Sequence, residues 1–233
     1  MTTACAADRF GRAQLIRLEM KPFYRFMRFL SRTSFSMYFR GRAFDADRVP
    51  CSGGVLIVSN HQSYFDPVAV GQALPREISF MARDTLFRNP IFGRMIRALN
   101  AFPVRRGAAD VGAVKEILRR LKDGWAVVIF PEATRSPDGR LGEINPNSLA
   151  IAKRANVPIV PTIVDGAFEA WPRSQRFPSP KPFYVWYAEP ITADEVRDWS
   201  LERITEEVVR RMQATLDASR ARRLTGMMRK ADR

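Results

Sequence analysis

Val55-Leu-Ile-Val-Ser-Asn-His61-Gln-Ser-Tyr-Phe-Asp66-Pro67 is the short segment around which the chain is organised. Its first half is a run of β-branched and aliphatic residues, which is typical of a buried strand in a parallel sheet. Its second half is a polar turn ending in Asp66-Pro67, a pair suited to the beginning of a helix. His61 is the only histidine in 233 residues. It therefore lies where a strand passes into a helix, which is where α/β proteins tend to bind ligands.

The spacing of His61 and Asp66 requires a bend in the chain. On one continuous helix, residues five positions apart are rotated by about 140°, so their side chains would not meet. If a helix begins at Pro67 with Asp66 as its N-cap, His61 can fold back towards the carboxylate. A carboxylate bound to one imidazole nitrogen fixes the tautomer and leaves the other nitrogen as a base. The alternative is that Asp66 only caps the helix and His61 is only a turn residue, and these residues alone leave both open.

Strands alternate with helices on both sides of this turn. Further strands are predicted over residues 78–81, 101–104, 125–130, 157–164 and 183–187, and helices over 67–73, 86–99, 111–122, 147–155 and 192–218. The prolines of the 157–164 strand indicate irregular pairing. The alternation predicts an α/β fold with a mainly parallel central sheet flanked by helices, in one domain over residues 43–217. A basic, frayed tail is expected over residues 218–233.

The segment before this domain, residues 1–42, combines basic and aromatic residues. Five cations share one helical face: Arg17, Lys21, Arg25, Arg28 and Arg32. Large apolar residues form a second face: Phe23, Phe26, Met27 and Leu30. This pattern predicts amphipathic helices that dock on an anionic membrane surface, with cations at lipid phosphates and rings among acyl chains. The alternative is a helix whose apolar face packs on the domain.

Composition limits the partners and the compartment. The net charge of +14 indicates an anionic partner, but no nucleic-acid-binding motif is present, so we expect no nucleic acid. No stretch is long and apolar enough for an ordinary membrane-spanning helix. The two cysteines, Cys5 and Cys51, have no CxxC spacing, which argues against a disulfide framework or a zinc site and fits a reducing compartment. We therefore expect a protein on the cytoplasmic face of a membrane.

Three loops that leave strand ends carry the chemically useful residues. They span residues 60–66, 104–107 and 131–136, and in a parallel sheet such loops can meet at one edge. Together they hold one base, one orienting carboxylate, Glu132 and three arginines, with no cysteine nucleophile and no metal cluster. The base could activate Ser63, but no Gly-x-Ser-x-Gly elbow is present. It could instead activate a hydroxyl of the substrate while the arginines grip a phosphate.

Four blocks resemble those of the glycerolipid acyltransferases, the lysophosphatidic acid acyltransferase family. Asn60-His61-Gln-Ser-Tyr-Phe-Asp66 looks like the family's His-x4-Asp motif, and Phe102-Pro-Val-Arg-Arg-Gly107 looks like its second block. Phe130-Pro-Glu-Ala-Thr-Arg-Ser136 resembles the Phe-Pro-Glu-Gly-Thr-Arg-Ser block, and Val157-Pro-Ile-Val-Pro161 the fourth. The blocks occur in the family's order and at roughly its intervals.

The resemblance implies a role for each site residue. His61 would remove the proton from the free hydroxyl of a lysophospholipid, most simply lysophosphatidic acid, and Asp66 would hold the imidazole. The oxygen would attack the thioester of an acyl-coenzyme A or acyl-carrier protein, so the donor is a substrate and no cofactor or metal is needed. The acceptor would be bound by the remaining residues of the blocks: Arg105, Arg106, Glu132, Thr134 and Arg135.

Two departures from the family's pattern concern the acceptor. Ala133 replaces the usual glycine, which would be costly if that position needs a positive φ. The segment after the third block reads Glu143-Ile-Asn-Pro-Asn-Ser148, where the family usually has lysine and glycine. The acceptor could therefore be another lyso-lipid, such as a lyso-ornithine lipid. A catalytically idle membrane-binding module that keeps the fold is the alternative outside the enzymes.

Overall fold

The computed structural model describes residues 20–105, 110–132 and 134–225. Within them lies a seven-stranded sheet with the order β1-β7-β6-β2-β5-β3-β4. The strands are β1 (Arg42–Phe44), β2 (Val55–Ser59), β3 (Ile78–Arg83), β4 (Ala101–Val104), β5 (Ala126–Ile129), β6 (Ile159–Asp165) and β7 (Tyr184–Tyr187). All pairings are parallel except that of β6 with β7. The predicted α/β fold with a mainly parallel sheet is confirmed.

Eight α-helices accompany the sheet in the described part of the chain. They are α1 (Pro22–Met37), α2 (Asp66–Gln72), α3 (Pro90–Ala98), α4 (Val111–Lys122), α5 (Pro146–Ala155), α6 (Ala167–Ala170), α7 (Ala193–Asp198) and α8 (Leu201–Leu224). Side chains of α4, α5, α7 and α8 fill the core on one face of the sheet, and those of α1, α2 and α6 fill the core on the other. The sheet is therefore covered on both faces, as a parallel sheet requires.

The strand β2 shows how the sequence serves both cores. Leu56 and Val58 point into one core, and Val55 and Ile57 point into the other, because successive side chains of a strand alternate between faces. All five residues of β2 are fully buried. Because both faces of β2 are buried, its side chains must be apolar on both sides, which explains the continuous apolar run in the sequence.

The strand β6 corrects the expectation of irregular pairing near its prolines. It lies between β2 and β7, all seven of its residues are buried, and Pro161 is in register with Val58. The nitrogen of Pro161 cannot donate, but its carbonyl still accepts from the Ala188 amide at 2.8 Å. A proline is tolerated in this central strand because the ladder continues through its carbonyl and its neighbours.

The two long predicted helices are each interrupted. In place of the helix predicted over residues 86–99, the structure has a 3₁₀ turn (Asp84–Phe87) followed by α3. The side chain of Asn89 caps α3, since it accepts from two amides of the first helical turn. The 192–218 prediction resolves into α7, which begins at a Thr192–Glu195 capping box, and α8, which is capped by Ser200. The caps at Asn89 and Ser200 thus divide two segments whose apolar spacing alone predicts a continuous helix.

The predicted domain boundary at residue 217 falls inside α8, which continues to Leu224. Beyond residue 217 the helix is anchored: the buried Ser219 hydroxyl donates to Asp165 Oδ2 at 2.7 Å, and Arg223 Nη1 donates to Asp165 Oδ1 at 2.9 Å. The expectation of a frayed tail from residue 218 is therefore wrong up to Leu224, and residues 226–233 lie outside the described residues.

At the other end, the helix α1 packs on the domain. Tyr24 and Phe35 are buried, and the ring of Phe39, just after the helix, packs edge-to-face against that of Phe183 with centroids 5.1 Å apart. Two cations of the predicted basic face contact the domain, since Lys21 Nζ donates to Asn100 Oδ1 and Arg28 Nη1 to the Leu74 carbonyl. Arg17 lies outside the described residues.

No helix in the described ranges is both long and apolar enough to cross a bilayer. Cys51 is disulfide-bonded, which the spacing of the cysteines did not predict.

Candidate active site

The site lies where the neighbouring strands β2 and β5 end. The two strands are parallel, and Val58 is in register with Ile129, so the chain leaves both at the same level of the sheet. The His61 turn follows β2, and the third block follows β5. Asn60 fastens the start of the turn to β6: its side chain donates to the Val164 carbonyl at 2.9 Å and accepts from the Val164 amide at 2.7 Å.

The turn closes around Asp66 and brings it to His61, which the residues alone left open, and the carboxylate does not cap the helix as expected. Its Oδ2 lies 2.7 Å from His61 Nδ1 and accepts from the amides of Gln62 at 2.6 Å and Ser63 at 2.7 Å. Asp66 is the first residue of α2, which has no side-chain cap. The side chain therefore faces back into the turn, where it holds the imidazole and the two amides together.

The geometry assigns the two nitrogens of the imidazole different roles. Because an ionised carboxylate only accepts hydrogen bonds, Asp66 places the proton of neutral His61 on Nδ1 and leaves Nε2 able to take a proton. The ring lies on Phe130, with centroids 4.3 Å apart and an angle of 25° between planes. The His61 side chain is 14% exposed and Asp66 is fully buried. The arrangement gives a fixed base at the protein surface with a water-excluded partner behind it.

The third block is tied directly to this turn. The Ser136 amide donates to the His61 carbonyl at 2.7 Å, and the Thr134 amide donates to the Glu132 carbonyl at 2.7 Å. Burial raises the pKa of Glu132 to about 7, and the Asp66 charge adds to that rise while the amides of Gly142 and His61 oppose it. Oε1 of Glu132 is buried without a hydrogen-bond partner among the described residues. Glu132 thus lies close enough to the His61–Asp66 pair to share its electrostatics.

A cleft of about 630 Å³ opens along the segment that follows β5. Its lining includes Glu132 and the exposed Thr134 from the third block, and three charged residues further on, Asp138, Arg140 and Glu143. Glu132 links this cleft to the His61 turn. Carboxylates outnumber cations in the lining, so the charge of the cleft favours some lipid head groups over others.

The predicted arginines differ in where the structure places them. The guanidinium carbon of Arg135 lies 3.6 Å from the centroid of the Tyr64 ring, so this residue contacts the His61 turn. Arg105 is exposed at the end of β4, and its amide donates to Asp110 Oδ2 at 2.9 Å. Since β3 separates β4 from β5, Arg105 begins about 10 Å from the third block, judged from the strand spacing. Arg106 and Ala133 lie outside the described residues.

Three residues of the site were present in the quoted blocks but were not identified as functional. Phe130 supports the His61 ring, and Tyr64 supports Arg135. Gln62 is buried, donates to the Gly139 carbonyl at 2.9 Å and accepts from the Phe168 amide at 3.3 Å. Their position inside the motif blocks was the available signal, but their partners lie up to 106 residues away.

Comparison with models of protein families matches residues 42–165 to the family described as Acyltransferase. The chain belongs to the acyltransferase family. The match begins at β1 and ends with β6, so it contains both loops of the site. The four sequence blocks, from Asn60 to Pro161, all lie within the matched residues.

Individual relatives agree with this family. A 1-acyl-sn-glycerol-3-phosphate acyltransferase of Cocos nucifera is 30% identical over 156 residues, which are 66% of this chain and 50% of that protein. One from Bacillus subtilis is 29% identical over 126 residues, or 54% of this chain and 62% of that protein. The chain thus spans about half the length of several of the curated relatives it matches. The crystal structure of the acyltransferase PlsC from Thermotoga maritima has the same fold: its TM-score is 0.74 at 24% identity, with 85% of this chain and 80% of that chain covered.

Proposed function

We propose that this protein transfers a fatty acyl group from an acyl thioester to the free hydroxyl of a lysophospholipid, with lysophosphatidic acid as the first candidate acceptor. The observation that carries the proposal is the 2.7 Å contact between His61 Nδ1 and Asp66 Oδ2, which leaves Nε2 as a base beside the third block. The names of the relatives, 1-acyl-sn-glycerol-3-phosphate acyltransferases, support the choice of acceptor.

The proposed reaction uses His61 twice. Nε2 takes the proton of the acceptor hydroxyl as that oxygen attacks the thioester carbonyl, and the imidazolium that forms is stabilised by the buried Asp66. The tetrahedral intermediate collapses, the carbon–sulfur bond breaks, and the thiolate takes the proton back from His61. The products are the acylated lipid and a free thiol. The donor is either acyl-coenzyme A or acyl-carrier protein.

The proposed acceptor site combines Glu132, Thr134 and Arg135, whose positions near the His61 turn support the choice, with Arg105 at the end of β4 and, on the sequence motif alone, Arg106. Arg135 would bind the phosphate, because a guanidinium donates through two parallel N–H groups to such an anion. A second acceptor class has its own support. The cleft after β5 carries Glu132, Asp138 and Glu143 against Arg140 alone, which favours a lyso-lipid with an amine-bearing head group, such as a lyso-ornithine lipid.

The test is a turnover assay of the purified protein with each donor and a panel of acceptors: lysophosphatidic acid, a lyso-ornithine lipid and a monoacylglycerol. We expect lysophosphatidic acid to be acylated and His61→Ala to lose at least about 10²–10⁴-fold in kcat. Ser63→Ala separates this mechanism from a covalent serine mechanism. The Ser63 hydroxyl accepts from the Phe65 amide at 3.3 Å, so its loss should leave most of the activity. Absence of product with every acceptor would support an idle module and contradict the proposal.

We propose further that α1 docks the protein on the cytoplasmic face of an anionic membrane. Its outer surface presents Phe26, 61% exposed, and Phe29, 68% exposed, with the exposed cations Arg25 and Arg32 beside them. Such a surface suits the interface between lipid head groups and acyl chains. Deletion of residues 1–42 would also remove core residues, so substitutions are the better test.

In liposome flotation, we expect Phe26→Ser/Phe29→Ser to release the protein from anionic vesicles. Val209→Ser provides the control, because Val209 is an exposed apolar residue of α8, whose buried side chains lie in the core on the opposite face of the sheet. Equal flotation of the double variant and the wild type would show that α1 is not the docking surface. Equal loss in the control would show that general surface hydrophobicity, and not α1, drives binding.

A further inference from the structure

Arg135 has an unusual environment for a half-buried cation. Its Nη1 is buried and has no hydrogen-bond partner among the described residues, and its guanidinium carbon lies 3.6 Å from the centroid of the Tyr64 ring. Leaving a buried donor unpaired is costly, and native structures usually satisfy such groups with protein, water or ligand. Arg120, whose guanidinium also lies over a ring, is by contrast neutralised by an ion pair with Glu116.

An aromatic partner holds a guanidinium differently from a carboxylate. A carboxylate occupies the N–H donors at the edge of the group and cancels its charge, whereas a ring contacts its flat face. The edge donors and the full positive charge then remain available to a second partner. Tyr64 thus fixes Arg135 in a state that can still bind an anion.

Tyr64 is itself braced from behind. Its ring lies 5.2 Å from that of Trp171, which in turn lies 5.0 Å from the Phe65 ring. The Trp171 indole N–H donates to the Gln175 carbonyl at 3.1 Å, which fixes this ring in its loop. Tyr64 remains 54% exposed, so the cluster presents the Tyr64–Arg135 pair at the surface beside the His61 turn.

We propose that Tyr64 is a positioning residue for an anionic acceptor: it holds the Arg135 guanidinium by its face, so that the edge donors are directed at the acceptor's phosphate. This inference rests on the proposed function and identifies the phosphate as the group of the acceptor that Arg135 binds. It also explains how a residue in the His61 block acts on one in the third block. Because the ring and not the hydroxyl carries the contact, phenylalanine should serve as well as tyrosine.

The first test compares acceptors in steady-state kinetics. We expect Tyr64→Leu to raise the KM for lysophosphatidic acid about tenfold, which corresponds to about 1.4 kcal/mol, with kcat little changed. Tyr64→Phe should restore the wild-type KM. Turnover of a monoacylglycerol, which has no phosphate, should be the same in all three proteins. The control is Phe87→Leu. It removes a ring whose centroid lies 4.6 Å from the guanidinium carbon of Arg97, on another part of the surface.

The second test does not depend on turnover. Equilibrium dialysis with radiolabelled glycerol 3-phosphate measures whether the phosphate site exists, and we expect Tyr64→Leu to bind it about tenfold more weakly than Tyr64→Phe. Equal binding by the two variants, no binding by the wild type, or a Tyr64→Phe defect as large as that of Tyr64→Leu would overturn the inference. Normal glycerol 3-phosphate binding without acyl transfer would leave the inference intact and contradict the proposed function.

Discussion

Two buried aspartates near the ends of the neighbouring strands β6 and β2 differ in the partners of their carboxylates. Asp165 ends β6, and both of its oxygens accept from α8: one from Ser219 at 2.7 Å and one from Arg223 at 2.9 Å. Asp66 follows β2 and uses one oxygen for His61 and two amides, while its Oδ1 has no partner among the described residues. Asp165 is 2% exposed and Asp66 is fully buried, so burial alone does not distinguish them.

This difference separates a structural carboxylate from a functional one. Asp165 is paired with a guanidinium, and the pair holds α8 to the sheet. Asp66 is paired with an imidazole, whose other nitrogen is left able to take a proton. We therefore expect loss of Asp66 to affect catalysis and loss of Asp165 to affect stability.

The largest contrast should appear in kcat. In Asp66→Asn the amide N–H₂ can donate to His61 Nδ1, which favours the tautomer with its proton on Nε2 and blocks the base. We expect kcat to fall about 10²–10⁴-fold, and Asp165→Asn, assayed well below its unfolding temperature, to retain a kcat near that of the wild type. A similar loss of kcat in both variants would remove the distinction between the two carboxylates.

The next contrast is in the free energy of unfolding. Asp165→Ala leaves the buried Ser219 hydroxyl and Arg223 without their partner. We expect a loss of about 3 kcal/mol, at the lower end of the range for a broken buried pair because Arg223 is 28% exposed. Urea unfolding measures it. The control is Asp198→Ala, which breaks the ion pair between Asp198 and Arg197. The Asp198 side chain is 64% exposed, so we expect the free energy of unfolding to fall by less than about 0.5 kcal/mol.

The smallest contrast concerns pH and a third carboxyl group, Glu132. Burial raises its pKa from 4.5 to about 7, so the folded state binds more protons than the unfolded state between these values. Stability from this group is complete below about pH 4.5 and falls as pH rises through about 7. Glu132→Gln should flatten this part of the profile, measured by urea unfolding at pH 5 to 8. An unchanged slope in the variant would show that another group titrates there.

The His61 turn could be predicted because its information is local. The strand, the bend and the Asp66-Pro67 pair lie within 13 residues, and the contacts of the Asp66 carboxylate with His61, Gln62 and Ser63 all fall within this stretch. The three loops at the sheet edge followed from the rule for parallel strands. That rule brings the three loops to one edge of the sheet, but it does not give the strand order, so it could not show that β3 lies between β4, which leads to Arg105, and β5.

The structural aspartate could not be recognised in the same way. Its partners Ser219 and Arg223 lie 54 and 58 residues away, in a segment whose basic composition predicted a frayed tail. The edge strand β1 was also missed, because only three residues define it and it pairs with β7, which begins 140 residues after the end of β1. Contacts between distant segments depend on tertiary packing, which a single sequence does not display.

We expect His61 and Asp66 to act as one catalytic unit, and a double variant distinguishes this from independent contributions. We compare kcat for His61→Ala, Asp66→Asn and His61→Ala/Asp66→Asn with lysophosphatidic acid as acceptor. If Asp66 works only through His61, the double variant is no slower than His61→Ala, since residues acting as a unit are not additive. Losses that multiply in the double variant, or a His61→Ala protein with wild-type turnover, would contradict the account.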